Sequence, residues 1–159
     1  SRREGVPVAS INVHAHDALF VLDEVVTFPR CHESGAQHRY GILPDLTCVS
    51  KGIANGFPLA ALVGKREYME YLNDGSIFAS WTFAGEAVSL AAAKVTLGCV
   101  RWHEALEPIH EYGRLFGEKL CALFADYELP AHVNGHPWRI GVHWCDVPGI
   151  ATAQELQTL

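Results

Sequence analysis

The chain has 159 residues, 49% of them hydrophobic and 19% charged, a length and balance that predict one globular domain or part of one. Its net charge of −6, with no Lys/Arg run, argues against a nucleic-acid or anionic-membrane surface, because both need clustered positive charge. No apolar stretch approaches ~18 residues, the length a membrane-spanning helix requires, and Ser1-Arg2-Arg3-Glu4-Gly5 is not followed by the apolar core of a signal peptide.

Residues 18–22, Ala-Leu-Phe-Val-Leu, form an unbroken apolar run ending at Asp23, a pattern that predicts a strand buried on both faces of a parallel sheet. Pro29, Gly35, Gly41 and Pro44 make 24–45 a loop, with one helical turn near 36–40. Leu46–Ser50 reads as a second strand and runs directly into Lys51. Gly52, Gly56 and Pro58 then force irregular backbone. A third strand is predicted over 59–63, a helix over 65–72 and an Ala-rich helix over 86–97. The clearest helix covers 107–127, with Pro108 in its first turn. Ile109, Gly113, Phe116, Leu120, Leu123 and Tyr127 recur there at spacings of three and four. Residues 131–134 and 139–145 read as antiparallel strands. Strands alternating with helices in the first two thirds predict an α/β architecture, and the last third reads as the start of a separate α+β lobe. The chain stops at 155–159 inside what reads as a new helix and begins shortly before an apolar strand. It therefore reads as an excerpt of something longer.

Five cysteines at 31, 48, 99, 121 and 145, with no C-x-x-C pair, predict reduced and mostly buried thiols in a cytoplasmic protein. Nine histidines raise a metal hypothesis. The closest pairs are His14-x-His16, on a segment read as extended, and His132-x-x-x-His136, interrupted by Asn134-Gly135. Neither pair has a carboxylate–histidine set at ligand spacing, so loop or surface histidines are expected and no metal.

Three positions carry chemistry. An aspartate such as Asp23 at the end of a buried strand is costly unless paired. It caps a helix, bonds a loop, or holds a cationic ligand group at the strand ends where open α/β sheets gather ligands. Lys51 follows the next strand and precedes Gly52-Ile53-Ala54-Asn55-Gly56, where backbone can approach a ligand closely. Most lysines so placed are solvated charges. In a pocket shared with Asp23, however, this amine could form an imine with an aldehyde cofactor, and burial would draw its pKa toward neutrality. Thr82, ahead of the Ala-rich helix, is either an N-cap or a phosphate contact.

Together these segments resemble the class III aminotransferases, a family that includes glutamate-1-semialdehyde aminomutase. Residues 18–27 resemble its aspartate strand, 35–46 the linker after it, 50–64 its lysine loop and following strand, and 81–93 its phosphate-contacting turn and helix. The order matches, as does the interval between Asp23 and Lys51. The resemblance covers roughly residues 15–145. It implies part of the large domain of the PLP-dependent transferase fold type I, aspartate-aminotransferase-like, with a mostly parallel sheet in 1–100. Residues 101–159 would hold a helix and the beginning of the small α+β C-terminal domain.

The resemblance also implies roles. Lys51 would hold pyridoxal 5'-phosphate (PLP) as a Schiff base and shuttle a proton. Asp23 would keep the pyridinium nitrogen protonated, and Val25 would pack on a ring face. Thr82 would reach the phosphate of the neighbouring subunit, implying a homodimer with shared sites. The implied reaction moves an amino group from a small-molecule donor to a carbonyl acceptor. Intramolecular transfer, as in the aminomutase, and a non-catalytic fragment that kept the fold are the alternatives. The 83–86 turn and 89–93 segment are closer to aminotransferases of sugar or secondary-metabolite substrates.

The chain departs from the family at Phe28-Pro29-Arg30, where Gly precedes an aromatic and Arg, and at Glu86, where many members carry Asn. The family's upstream half, with its main phosphate-binding turn and stacking aromatic, has no counterpart in these residues. Alone, the chain is therefore expected to be poorly soluble or oligomeric, to bind PLP weakly and to be inactive.

Overall fold

The computed structural model describes residues 13–102 and 105–144. Cys145, the N-terminal residues 1–12 and the helix expected at 155–159 lie outside the described residues. The chain divides into two compact units, Ser1–Glu104 and Ala105–Leu159.

In the first unit, strand β1 (Val21–Asp23) is followed by a loop, helix α1 (Gly35–Tyr40) and strand β2 (Leu46–Val49). A 3₁₀ turn at Lys51–Ile53 leads to strand β3 (Ala61–Gly64), helix α2 (Arg66–Asn73) and helix α3 (Ala87–Trp102). The sheet order is β1-β2-β3. β1 and β2 are parallel, with Asp23 opposite Cys48. β2 and β3 are antiparallel, with Val49 opposite Ala61. The three described strands thus form a mixed sheet, with one parallel and one antiparallel pairing. A parallel crossover needs about a dozen residues and usually a helix, whereas the 50–60 connection folds back on itself as a loop.

β1 is not buried on both faces as its apolar run suggests. It is an edge strand with one described neighbour, and Leu19 and Val21 are about half exposed. The core lies on the other side of β2. There Val49, Ile53, Ala54 and Ala93 are buried, packed by Phe28, Leu59, Ala61, Ala92 and Leu97. Ile53 and Ala54 lie two and three residues past Lys51, so burial of these two side chains against α3 anchors the turn that carries the lysine.

Asp45 is fully buried where the linker enters β2. Its carboxylate accepts bonds from Lys65 Nζ at 2.5 Å, the Phe20 N–H at 2.7 Å and His14 Nε2 at 2.7 Å. His14 lies on a helical turn rather than an extended segment, with the His16 N–H bonded to the Val13 carbonyl. The Lys65 ammonium first, then the Phe20 N–H and His14, hold the Asp45 carboxyl well below the usual range, and Asp45 raises the Lys65 pKa in return. The stabilisation by Asp45 is therefore present above the ordinary carboxylate range and is lost only as pH falls far below it. The Lys65 contribution is present below the ordinary lysine pKa and is lost as pH rises through its raised value. In the full-length protein, Asp45→Asn should lower Tm at neutral pH by at least about 5 °C, because it removes the buried anion that half-exposed Lys65 and His14 both bond. Thermal melts should show the gap from wild type narrowing at strongly acidic pH; equal melts at pH 7 would contradict the clamp.

In the second unit, helix α4 (Leu106–Asp126) precedes strands β4 (Ala131–His136) and β5 (Arg139–Trp144), an antiparallel hairpin. The helix row turned inward is Leu106, His110, Gly113, Gly117, Leu120 and Phe124. Of the predicted stripe, Gly113 and Leu120 belong to it, while Ile109, Phe116, Leu123 and Tyr127 are exposed. Backbone approach sets this phase. The Pro137 carbonyl sits so close to Gly113 that a Cβ there would overlap it, and Val133 and Ile140 lie over Gly117. His132 is on a strand, half-buried, with its ring stacked on His143 across the hairpin at 5.8 Å.

Cys31, Cys48, Cys99 and Cys121 are free thiols. Only Cys31 is buried; Cys99 and Cys121 fall on outward positions of α3 and α4 and are exposed. Among the described residues no helix is long and apolar enough to cross a membrane.

Candidate functional site

β1 and β2 run parallel and side by side, so their carboxyl ends open at the same edge of the sheet. Asp23 ends one strand, and Lys51 begins the turn just past the other. In open α/β sheets this edge is where ligands bind.

The turn at Lys51 is sharply bent. Lys51 has φ 43°, Asn55 φ 44° and Gly56 φ 110°, a left-handed cluster that L side chains other than glycine and asparagine seldom adopt. The loop is closed at its base, where Ser50 Oγ donates to the Leu59 carbonyl at 2.7 Å. Gly52 packs against Pro29, the Phe28 carbonyl and Arg30, close enough that an added Cβ would sit tightly against all three. The Phe28-Pro29-Arg30 departure is thus packed on the lysine turn. Arg30, Ser50, Lys51, Asn55, Gly56, Phe57, Pro58 and Leu59 line an open cleft of about 380 Å³. Lys51 itself is exposed, so the described residues do not supply the burial expected around its amine.

Asp23 is exposed, not buried, and its Oδ1 accepts the Val25 N–H at 2.9 Å. The bond fixes the carboxylate beside the strand end. The buried acid of this motif is its neighbour Glu24, which accepts Thr27 Oγ1 at 2.5 Å, the Ala36 N–H at 2.7 Å and the Gln37 N–H at 2.8 Å. Glu24 therefore ties the start of the 24–34 loop to the first turn of α1 and sets the path that brings Arg30 to the cleft. Sequence reasoning missed this role, because Glu24 and its two α1 donors are far apart in the chain. Burial first, then the Glu24 charge, pushes the Cys31 thiol pKa up, so this thiol is a packing group.

Thr82 does not cap α3. It lies in an exposed turn, while Glu86 caps the helix by accepting the Val88 N–H at 2.7 Å and the Ser89 N–H at 2.8 Å. These bonds hold the Glu86 carboxyl below its ordinary pKa. Two of the free N–H groups at this helix start are thereby occupied by the chain's own anion. The turn around Thr82 is apolar as well as exposed, with Phe78 92%, Trp81 70% and Phe83 74% accessible. Neither Asp23, Val25 nor Thr82 lines the Lys51 cleft.

Among the described residues no three His, Cys, Asp or Glu side chains gather in a way that could hold a metal ion. The residues at the sheet edge fit PLP in kind. They offer a primary amine on a fixed turn beside a cleft and a carboxylate on the adjacent strand end, the two functions an aldehyde-bearing pyridine requires.

Residues 8–146 match the family described as Aminotransferase class-III. A 3-aminobutyryl-CoA aminotransferase of Cloacimonas acidaminovorans is 35% identical over 123 residues, covering 77% of this chain and 30% of its own length. A glutamate-1-semialdehyde 2,1-aminomutase of Roseiflexus castenholzii is 35% identical over 136 residues, 84% of this chain and 31% of its own. Among solved structures, the PLP internal aldimine form of the FumI protein of Sphingopyxis sp. MTA144 superposes with a TM-score of 0.77 at 30% identity. It covers 88% of this chain and 33% of that chain. The chain spans about a third of the length of these proteins.

Proposed function

We propose, from the premise that the chain belongs to the class III aminotransferase family, that it contributes the cofactor-binding lysine and its anion to a PLP-dependent aminotransferase. The family is PLP-dependent. PLP, when bound, supplies a carbonyl that condenses with amines and a ring that withdraws electrons from the substrate carbon.

Lys51 would hold the cofactor through its amine and, once substrate is bound, would take and return a proton at the substrate carbon. Asp23 would keep the ring nitrogen protonated, and Val25 would pack on a ring face. Thr82 Oγ1 would donate to the phosphate in a neighbouring subunit, which would also cover Phe78, Trp81 and Phe83, exposed around it. The assembly is a homodimer, and its substrates are a small-molecule amino donor and a carbonyl acceptor.

One observation carries the reading. The parallel β1–β2 pairing opens Asp23 and the Lys51 turn at one edge of the sheet. Of the other lysines in this chain, Lys65 is committed to Asp45, while Lys94 and Lys119 stand on helices α3 and α4 rather than at a strand end.

Intramolecular transfer is the second reading, favoured by the aminomutase among the relatives at 35% identity. Incubating the full-length holoprotein with candidate amino donors separates the two. Amino transfer leaves a keto product and the amine form of the cofactor. An aminomutase returns an isomer of its substrate with the amine on the next carbon. Neither product across a broad donor panel would count against both.

A further inference from the structure

Ser50 has no role in the reading above, although it stands next to Lys51. Its hydroxyl donates to the Leu59 carbonyl at 2.7 Å, joining the two ends of the loop that carries the lysine. Ser50 and Leu59 also lie on the wall of the Lys51 cleft. Within the joined segment the backbone is left-handed at Lys51, Asn55 and Gly56. A non-glycine residue keeps such a conformation only where its surroundings over-determine it. The described restraints on the Lys51 side of the loop are the burial of Ile53 and Ala54, the packing of Gly52 on 28–30, the Ile53 N–H bond to the Ser50 carbonyl at 3.1 Å, and the hydroxyl bond at the base. The first two hold the backbone beyond Lys51. The third closes the backbone across Lys51, and the Ser50 hydroxyl is the side-chain bond that ties the residue before Lys51 to the far end of the loop.

We propose that Ser50 is a positioning residue for Lys51: its hydroxyl latches the loop and so fixes the direction in which the lysine amine leaves the backbone. This rests on the reading of Lys51 as the cofactor lysine. A residue acting through Lys51 changes how readily that amine reacts, and it does so before any cofactor is present.

The test uses full-length protein stripped of PLP, as wild type, Ser50→Ala and Ser50→Thr. Ser50 has extended backbone, φ −163°, which threonine also adopts with its hydroxyl retained. Each protein is methylated reductively with formaldehyde across a pH series, and the Lys51 and Lys94 peptides are quantified by mass spectrometry. The latch predicts a changed rate and pH midpoint at Lys51 in Ser50→Ala, an unchanged Lys94, and recovery in Ser50→Thr. In reconstituted enzyme kcat falls about fivefold to tenfold with KM for the amino donor little changed, the scale of one lost hydrogen bond. If Ser50→Ala does not fold, Ser50→Cys replaces it under the same criteria. A Lys51 profile and kcat within twofold of wild type in the variant would overturn the latch alone. Borohydride fixing PLP to Lys65, Lys94 or Lys119 in wild type would overturn the Lys51 reading, and the latch with it.

Discussion

Replacing Lys51 with alanine in the full-length protein is expected to lower kcat by at least about a thousandfold. The side chain is exposed at a left-handed turn, so its removal uncovers no core, and the melting temperature of the cofactor-free protein should stay close to wild type. Two proposed functions would disappear together: the covalent hold on the cofactor and the base that moves the proton at the substrate carbon. Added small amines should restore part of the rate, because they replace the proton carrier without the tether. Lys65→Ala should behave in the opposite way. It removes the ammonium bonded to the buried Asp45, so it should lower stability while sparing the chemistry. Paired melting and rate measurements on the two variants check this, and a stable, inactive Lys65→Ala beside an active Lys51→Ala would reverse the assignment.

Asp23→Asn is expected to bind PLP and yet lose several orders of magnitude in turnover. Asparagine keeps the shape and can still accept the Val25 N–H that fixes Asp23 at the strand end. What it lacks is the negative charge that would hold a proton on the ring nitrogen, and with it the strength of the electron sink. Cofactor titration by absorbance and single-turnover rates separate these effects. Near-normal turnover would show that another residue faces the ring nitrogen.

The order of elements in the first unit was legible because most are bounded by their own punctuation: the apolar run before Asp23, the glycines after Lys51, the Asn73-Asp74-Gly75 stop. The motifs around Asp23, Lys51 and Trp81–Ala93 carried the family in the same way. What the sequence hid depends on distance along the chain or on close backbone approach. Asp45 draws partners from His14, Phe20 and Lys65, none of them local. Glu24 was read as part of a motif, whereas its bonds to α1 make it the anchor of the loop beside the cleft. The inward face of α4 was misphased because hydrophobicity favours Ile109, Phe116 and Leu123, while the hairpin seats itself on Gly113 and Gly117. Thr82 looked like a cap because it precedes a helix. The signal that would have corrected it is Glu86, a carboxylate in reach of the second and third N–H groups of α3.

The account turns on Lys51, and one measurement reaches it directly. The full-length protein is saturated with PLP, reduced with borohydride, digested, and its peptides mapped by mass. The cofactor mass should be found on the peptide containing Ser50-Lys51-Gly52, with loss of the visible absorbance of lysine-bound PLP. Label on Lys65, Lys94 or Lys119 instead, or no covalent label on any lysine, would contradict it.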